Sequence, residues 1–203
     1  IHPHMPTGSD TIHFIKHTDK PCDRKATYLR IVTSVRTNKA ESKRVRFTVG
    51  GDRVDYPGET STPTVDLTTI KIQLNSVLST PDAKFMTADI SDFYLNTPLP
   101  RKEYMRIPVK DIPQCVIDQY NLAPLVHNGH VMTEIRKGMY GLPQAGLLAH
   151  DLLKDRLALD GYMPANHTPG IFSHGTHPIP LTLRADDYAT KYVGTDAAQH
   201  PIP

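Results

Sequence analysis

Asp186 and Asp187 stand side by side in LRADDYATKYVG, Leu183 to Gly194, between two short apolar, β-prone runs. Adjacent carboxylates repel, so such a doublet is either a solvated turn or a place where a cation is held. A second acidic cluster lies far upstream: FMTADISDFYLNTPL reads as a strand running up to Asp89, followed by Asp92 and Tyr94. If that strand lies beside the hairpin carrying the doublet, three carboxylates converge on one point. Hard divalent cations accept such a set. Mg²⁺ prefers carboxylate and phosphate oxygens, and two ions about 3.5–4 Å apart can clamp the attacking and leaving oxygens of an in-line phosphoryl displacement. The protein then needs no nucleophile of its own, in keeping with a chain that has no GxSxG elbow, HExxH helix or Walker loop. Taken singly the pieces are bland, because an Asp-Asp at a turn is usually solvated and an Asp ending a strand commonly caps the next helix.

The elements that must position these residues follow from periodicity. Residues 1–24 are rich in Pro, His, Thr and Asp and read as an extended or disordered arm. ATYLRIVTSVR, Ala26 to Arg36, and the run Arg44 to Val49 alternate apolar residues with Arg and Thr, the period of a half-exposed strand pair joined near Asn38. Leu67, Ile70, Leu74, Val77 and Leu78 recur at offsets of three and four, which predicts an amphipathic helix over Asp66–Ser79 that backs a sheet and stops at Pro81. Lys84 to Ile90 reads as a buried strand, and Asn128-Gly129 marks a hairpin within Leu125 to Arg136. After Pro143, the spacing of Leu148, Leu152, Leu153 and Leu157 predicts a helix ended by Gly161. Leu181 to Val193 completes the series as a hairpin with the Asp doublet at or near its turn. Strands and helices intersperse without a parallel βαβ rhythm, so the class is α+β.

Composition narrows the functions. The 203 residues, 38% hydrophobic, suffice for one ordinary core or two small lobes. No apolar run approaches the roughly 18 residues that span a bilayer, and IHPHMPTGSD lacks the apolar segment of a secretory signal, so an intracellular, non-secreted protein is expected. A start at Ile1 and a stop at Pro203 read as a piece of something longer. Cys22 and Cys115 are too few and too far apart for a disulfide framework or a structural zinc site. The net charge of +2 conceals an asymmetry: residues 1–54 hold 11 Lys/Arg against 5 Asp/Glu, whereas the remainder is net acidic. A basic lobe suits a polyanion and an acidic one suits cations, although exposed strands also carry Lys and Arg simply for solvation. His13 and His17 at helical spacing read as surface residues, Met139 with Tyr140 as core packing, and the Leu-rich run 147–159 as core.

Four blocks in order, KRVRFTVGG with DYPGETSTPT, KFMTADISDFYLNTPLPRKEYMRIP, EIRKGMYGLPQAGLLA and LRADDYATKYVG, resemble the fingers and palm of copia-type long-terminal-repeat retrotransposon reverse transcriptases. Together they span about residues 25–194, the second and third being the specific ones. The resemblance implies a fingers-palm region over 25–203, truncated at its C-terminal side. Fingers would cover about 25–80 with part of 104–143, and an antiparallel palm sheet backed by helices would cover about 81–103 and 144–203. It implies an RNA-directed DNA polymerase with Asp89, Asp186 and Asp187 as catalytic, metal-binding carboxylates for two Mg²⁺ ions, or Mn²⁺ in their place. The backbone at Ile90 becomes a further metal or phosphate contact, Asp92 a neighbour of the incoming triphosphate, and Tyr94 the bulky side chain that excludes a ribose 2′-hydroxyl. Gln144 matches a contact to the incoming nucleotide and Arg46 a cation on its phosphates, with Lys43 a looser match. Implied partners are an RNA or DNA template with its primer, deoxynucleoside triphosphates and the rest of the element's polyprotein, in a cytoplasmic particle and with no membrane.

Two departures matter. Arg184 stands where the family has an aromatic or aliphatic residue and, on strand alternation, would share a face with Asp186 and compete with the metal. Ala185 and Ala189 are milder changes. The primer grip, thumb, connection and RNase H portions are expected beyond residue 203, so the resemblance implies poor or no polymerisation by this piece alone. The alternatives are a decayed element remnant that keeps the fold and at most binds nucleic acid, and another nucleotidyl or phosphoryl transferase with a palm-like carboxylate set. The GLPQAG block and Tyr94 weigh against the second.

Overall fold

The computed structural model describes residues 9–37 and 41–194. Asn38, expected to join two strands, lies outside the described residues, as do the first eight residues of the expected arm and 195–203 of the expected palm. The chain divides into two compact units, one comprising the residues up to Thr60 with Tyr94–Ala145, the other Ser61–Phe93 with the residues from Gly146 onward. Each is built on its own five-stranded sheet. The mixture of mostly antiparallel sheets and a few helices agrees with the α+β class. No helix among the described residues is long and apolar enough to cross a membrane.

The first unit contains β1 (Ile12–Ile15), β2 (Ala26–Val35), β3 (Lys43–Val49), β5 (Pro98–Pro108), a short helix α2 (Gln114–Gln119) and β6 (His130–Lys137). Its sheet runs β1-β6-β5-β2-β3, antiparallel except for the β2–β5 pair. Met105, Val131 and Ile135 are fully buried, so the central strands β5 and β6 supply much of the core. The expected arm is corrected over Ile12–Ile15, which pairs antiparallel with β6 as an edge strand. At Asn128-Gly129 both residues have positive φ and His127 and His130 exchange backbone hydrogen bonds, so the turn forms, but only that one pair precedes β6 because Ala123–Leu125 is a 3-10 turn.

Glu134 on β6 is held between Lys102 and Arg136, whose nitrogens lie 3.1 and 2.7 Å from its Oε1. Burial pushes this carboxyl's pKa up, but the hydrogen bonds and charges of Arg136 and Lys102 outweigh it and leave it below the ordinary glutamate value. A depressed carboxylate pKa stabilises the fold at neutral pH, and that contribution fades as pH falls through and below about 4.3. Glu134→Gln is therefore expected to cost about 1 kcal/mol at pH 7 and progressively less as the pH is lowered into the acid range, measured by urea unfolding at a series of pH values.

The second unit contains α1 (Leu67–Leu78), β4 (Ala83–Asp89), α3 (Ala145–Leu159, from its second residue), β7 (Tyr162–Pro164), β8 (Ile171–His174), β9 (Leu181–Arg184) and β10 (Asp187–Val193). Its sheet, β4-β10-β9-β8-β7, is antiparallel throughout. Leu157, Tyr162, Phe172, Leu181 and Leu183 form its core, with Leu153 and Tyr188 packed against them. Asp66 caps α1 by accepting from the Thr69 N–H at 2.8 Å. The stripe expected to face the sheet is corrected in part: Ile70 and Val77 are half-buried, but Leu67, Leu74 and Leu78 are exposed, and the buried residue is Gln73, whose Oε1 accepts from Thr182. Lys191 reaches α1 as well, donating to Ser76 Oγ at 2.6 Å, so polar contacts help to seat the helix beside the half-buried Ile70 and Val77. These bonds, with packing against β4, place α1 in this unit rather than with β2 and β3. β4 is also corrected, since it is the sheet's edge and exposes Phe85 and Met86. Leu159 at the end of α3 is 87% exposed, outside the core expected for that run.

Candidate active site

In the second unit β4 and β10 pair in a register that sets Asp89 directly across from Asp187. Directly opposed residues on antiparallel strands project from the same face. The Ile90 N–H donates to the Asp186 carbonyl at 2.8 Å, continuing the pairing past the strand end and fixing the doublet's turn beside the exit of β4. The turn itself is Ala185-Asp186, with Ala185 at φ +57, a conformation that a Cβ disfavours by roughly 1–2 kcal/mol. Asp89 and Asp187 are exposed and Asp186 half-buried. Asp92, at φ +54, sits exposed in the turn after β4, where a short polar side chain tolerates the left-handed region.

The sheet thus gathers the backbones of all three carboxylate residues at one end. Their side chains do not yet converge, for no group of three His, Cys, Asp or Glu among the described residues is disposed to hold a metal ion. The donor set, all carboxylate, is of the kind that suits Mg²⁺. Arg184 is repositioned relative to expectation. β9 ends at that residue, so alternation does not extend into the turn, and the cross-strand neighbour of Arg184 is Asp187 rather than Asp186. No ion pair within 4.0 Å joins it to either aspartate among the described residues.

The remaining candidates lie in the first unit. Arg46 projects from β3 with its guanidinium carbon 5.1 Å from the centre of the Tyr140 ring, and Tyr94 meets that ring edge-on at 5.0 Å. Its Nε is buried with no hydrogen-bond partner among the described residues. The close approach depends on Gly141, at φ +93, where a Cβ would overlap the Val49 carbonyl oxygen; the Val49 N–H donates to the Tyr140 carbonyl at 2.7 Å. Lys43 is exposed at the first position of β3. Gln144 points inward: it is 1% exposed, its Nε2 is 3.3 Å from Glu103 Oε1, and its Oε1 has no partner among the described residues. Glu103 in turn accepts from Arg24 at 2.7 Å. That buried Arg24–Glu103–Gln144 chain was not anticipated, although a Glu within the otherwise apolar side of EYMRIP marks an internal ion pair. Tyr140, expected as core, is half-buried and carries the arginine. Comparison with protein-family models, curated proteins and solved structures finds no match to this chain.

Proposed function

We propose that the chain is the fingers-and-palm portion of a copia-type retrotransposon reverse transcriptase, an RNA-directed DNA polymerase working through nucleotidyl transfer to a primer 3′-hydroxyl. The observation that carries the reading is the register setting Asp89 opposite Asp187 with Ile90 bonded to Asp186. The first unit, with its Arg46–Tyr140–Tyr94 cluster, is read as fingers, and the second, with the carboxylates, as palm. In this reading Asp89, Asp186 and Asp187 would hold two Mg²⁺ ions, which would supply Lewis acidity toward the primer hydroxyl and positive charge toward the triphosphate. Arg46 supplies phosphate-directed donors, and Tyr94 bounds the sugar's space. A template and primer, deoxynucleoside triphosphates and the rest of the polyprotein are its partners, in a cytoplasmic particle.

A second reading, a decayed remnant that retains the fold and at most binds nucleic acid, is favoured by one observation: Arg184 stands across from Asp187. Titration with Mn²⁺ separates the two. Saturable binding that depends on Asp89 supports the polymerase reading, whereas equal and negligible binding by the wild type and Asp89→Asn leaves the remnant.

A further inference from the structure

A cleft of about 650 Å³ opens in the first unit, walled by the segment before β2, the turn after β3 and strand β5. That volume falls within the range of small-ligand sites. Lys20, Lys25, Arg53 and Arg106 line it, against Asp52 and Asp55. The wall is braced from behind. Arg24 is committed to Glu103 and to the Lys102 carbonyl at 2.6 Å, and Lys20 donates to the Pro21 carbonyl at 2.7 Å. Tyr28 bonds Asp52 at 2.9 Å through its hydroxyl and carries the Arg53 guanidinium 5.1 Å from its ring centre.

The side chains of Lys25 and Arg106 have no ion-pair or hydrogen-bond partner among the described residues, and both are exposed. His17 continues the wall into an adjoining hollow of about 70 Å³ shared with Arg106, His127 and His130, its ring centre 4.4 Å from that of His127. These groups offer no three-donor metal arrangement. Cations drawn from three chain segments and facing one open trough repel one another, and an anion with several oxygens relieves that repulsion. Guanidinium forks and ammonium groups together match phosphate oxygens.

We propose that this cleft is a binding site for an anion carrying two or more phosphates. The site uses neither the carboxylates nor Arg46, so it stands or falls apart from the polymerase reading. The test is calorimetry of the whole chain in EDTA, which removes any divalent ion from the carboxylates, with inorganic tripolyphosphate and with a short single-stranded oligonucleotide as probes. Lys25→Ala/Arg106→Ala is expected to weaken tripolyphosphate binding about tenfold or more. Lys71→Ala/Lys110→Ala, which removes the same charge from exposed positions outside the cleft, is expected to change it less than about twofold. Lys25→Ala alone, at an exposed side chain, keeps the comparison valid if the double variant melts early. Oligonucleotide binding lost in the same variant identifies the phosphates as those of a nucleic-acid strand, and tripolyphosphate binding without oligonucleotide competition identifies a free polyphosphate. No binding by the wild type, or equal weakening by both double variants, overturns the proposal.

Discussion

Mn²⁺ titrated into the chain is expected to saturate a site that Asp89→Asn weakens by about tenfold or more, and that Arg184→Ala tightens. Losing a ligating carboxylate costs at least as much as losing a supporting residue around a metal, which is typically about 10–100-fold. Asn preserves the shape of Asp89 and removes its charge, and because the side chain is exposed the substitution leaves packing intact. Arg184 faces Asp187 across the hairpin and acts in the opposite sense. A guanidinium about 4 Å from a carboxylate attracts it by roughly 1 kcal/mol in water, and this exposed pair, farther apart than that, attracts more weakly. Removal of Arg184 is thus expected to tighten the metal by less than about fivefold. Calorimetry at low salt reads both changes. Weak binding unchanged in all three proteins would leave the carboxylates without a metal and sink the polymerase reading.

Leu183→Ala is expected to destabilise the second unit by about 2–5 kcal/mol, while Leu78→Ala changes stability by less than about 0.5 kcal/mol. Leu183 is 1% exposed in the core with Leu157, Phe172 and Leu181, and its backbone is doubly engaged, donating to Gly170 at 2.7 Å and accepting from Val65 at 3.4 Å. Truncation leaves a cavity in that core. Leu78 is 86% exposed at the end of α1, so little apolar area is lost there. Urea unfolding checks both. A loss at Leu78 as large as that at Leu183 would show that Leu78 is packed rather than exposed.

β2 and β3 fall where alternating apolar and polar residues put them, although only β3 alternates in burial, and the β9–β10 hairpin falls where two short apolar, β-prone runs flank the Asp doublet. The helix α1 was legible in extent but not in orientation. Five apolar residues at helical offsets outweigh one Gln in any hydropathy pattern, yet Thr182 and Lys191 supply polar partners that only the folded sheet creates. Burial of β4 was misjudged for a related reason. An apolar run shows that a strand is apolar, not whether a second strand covers its far edge. At the site, the meeting of Asp89 with the doublet was a conditional expectation, and register satisfied its backbone half. The inward turn of Gln144 was hidden, because it depends on Glu103, 41 residues away.

The interleaving of the two units has a consequence for synthesis on the ribosome. The first unit possesses all its strands once residue 137 has emerged, but β4, made earlier, has no partner until β10 is translated. Throughout that interval an unpaired edge displaying Phe85 and Met86 is offered to any neighbouring nascent chain. Slow decoding between β6 and β10 prolongs the exposure, so the yield of intact protein in a cell depends on elongation rate and on chaperone capture of that segment.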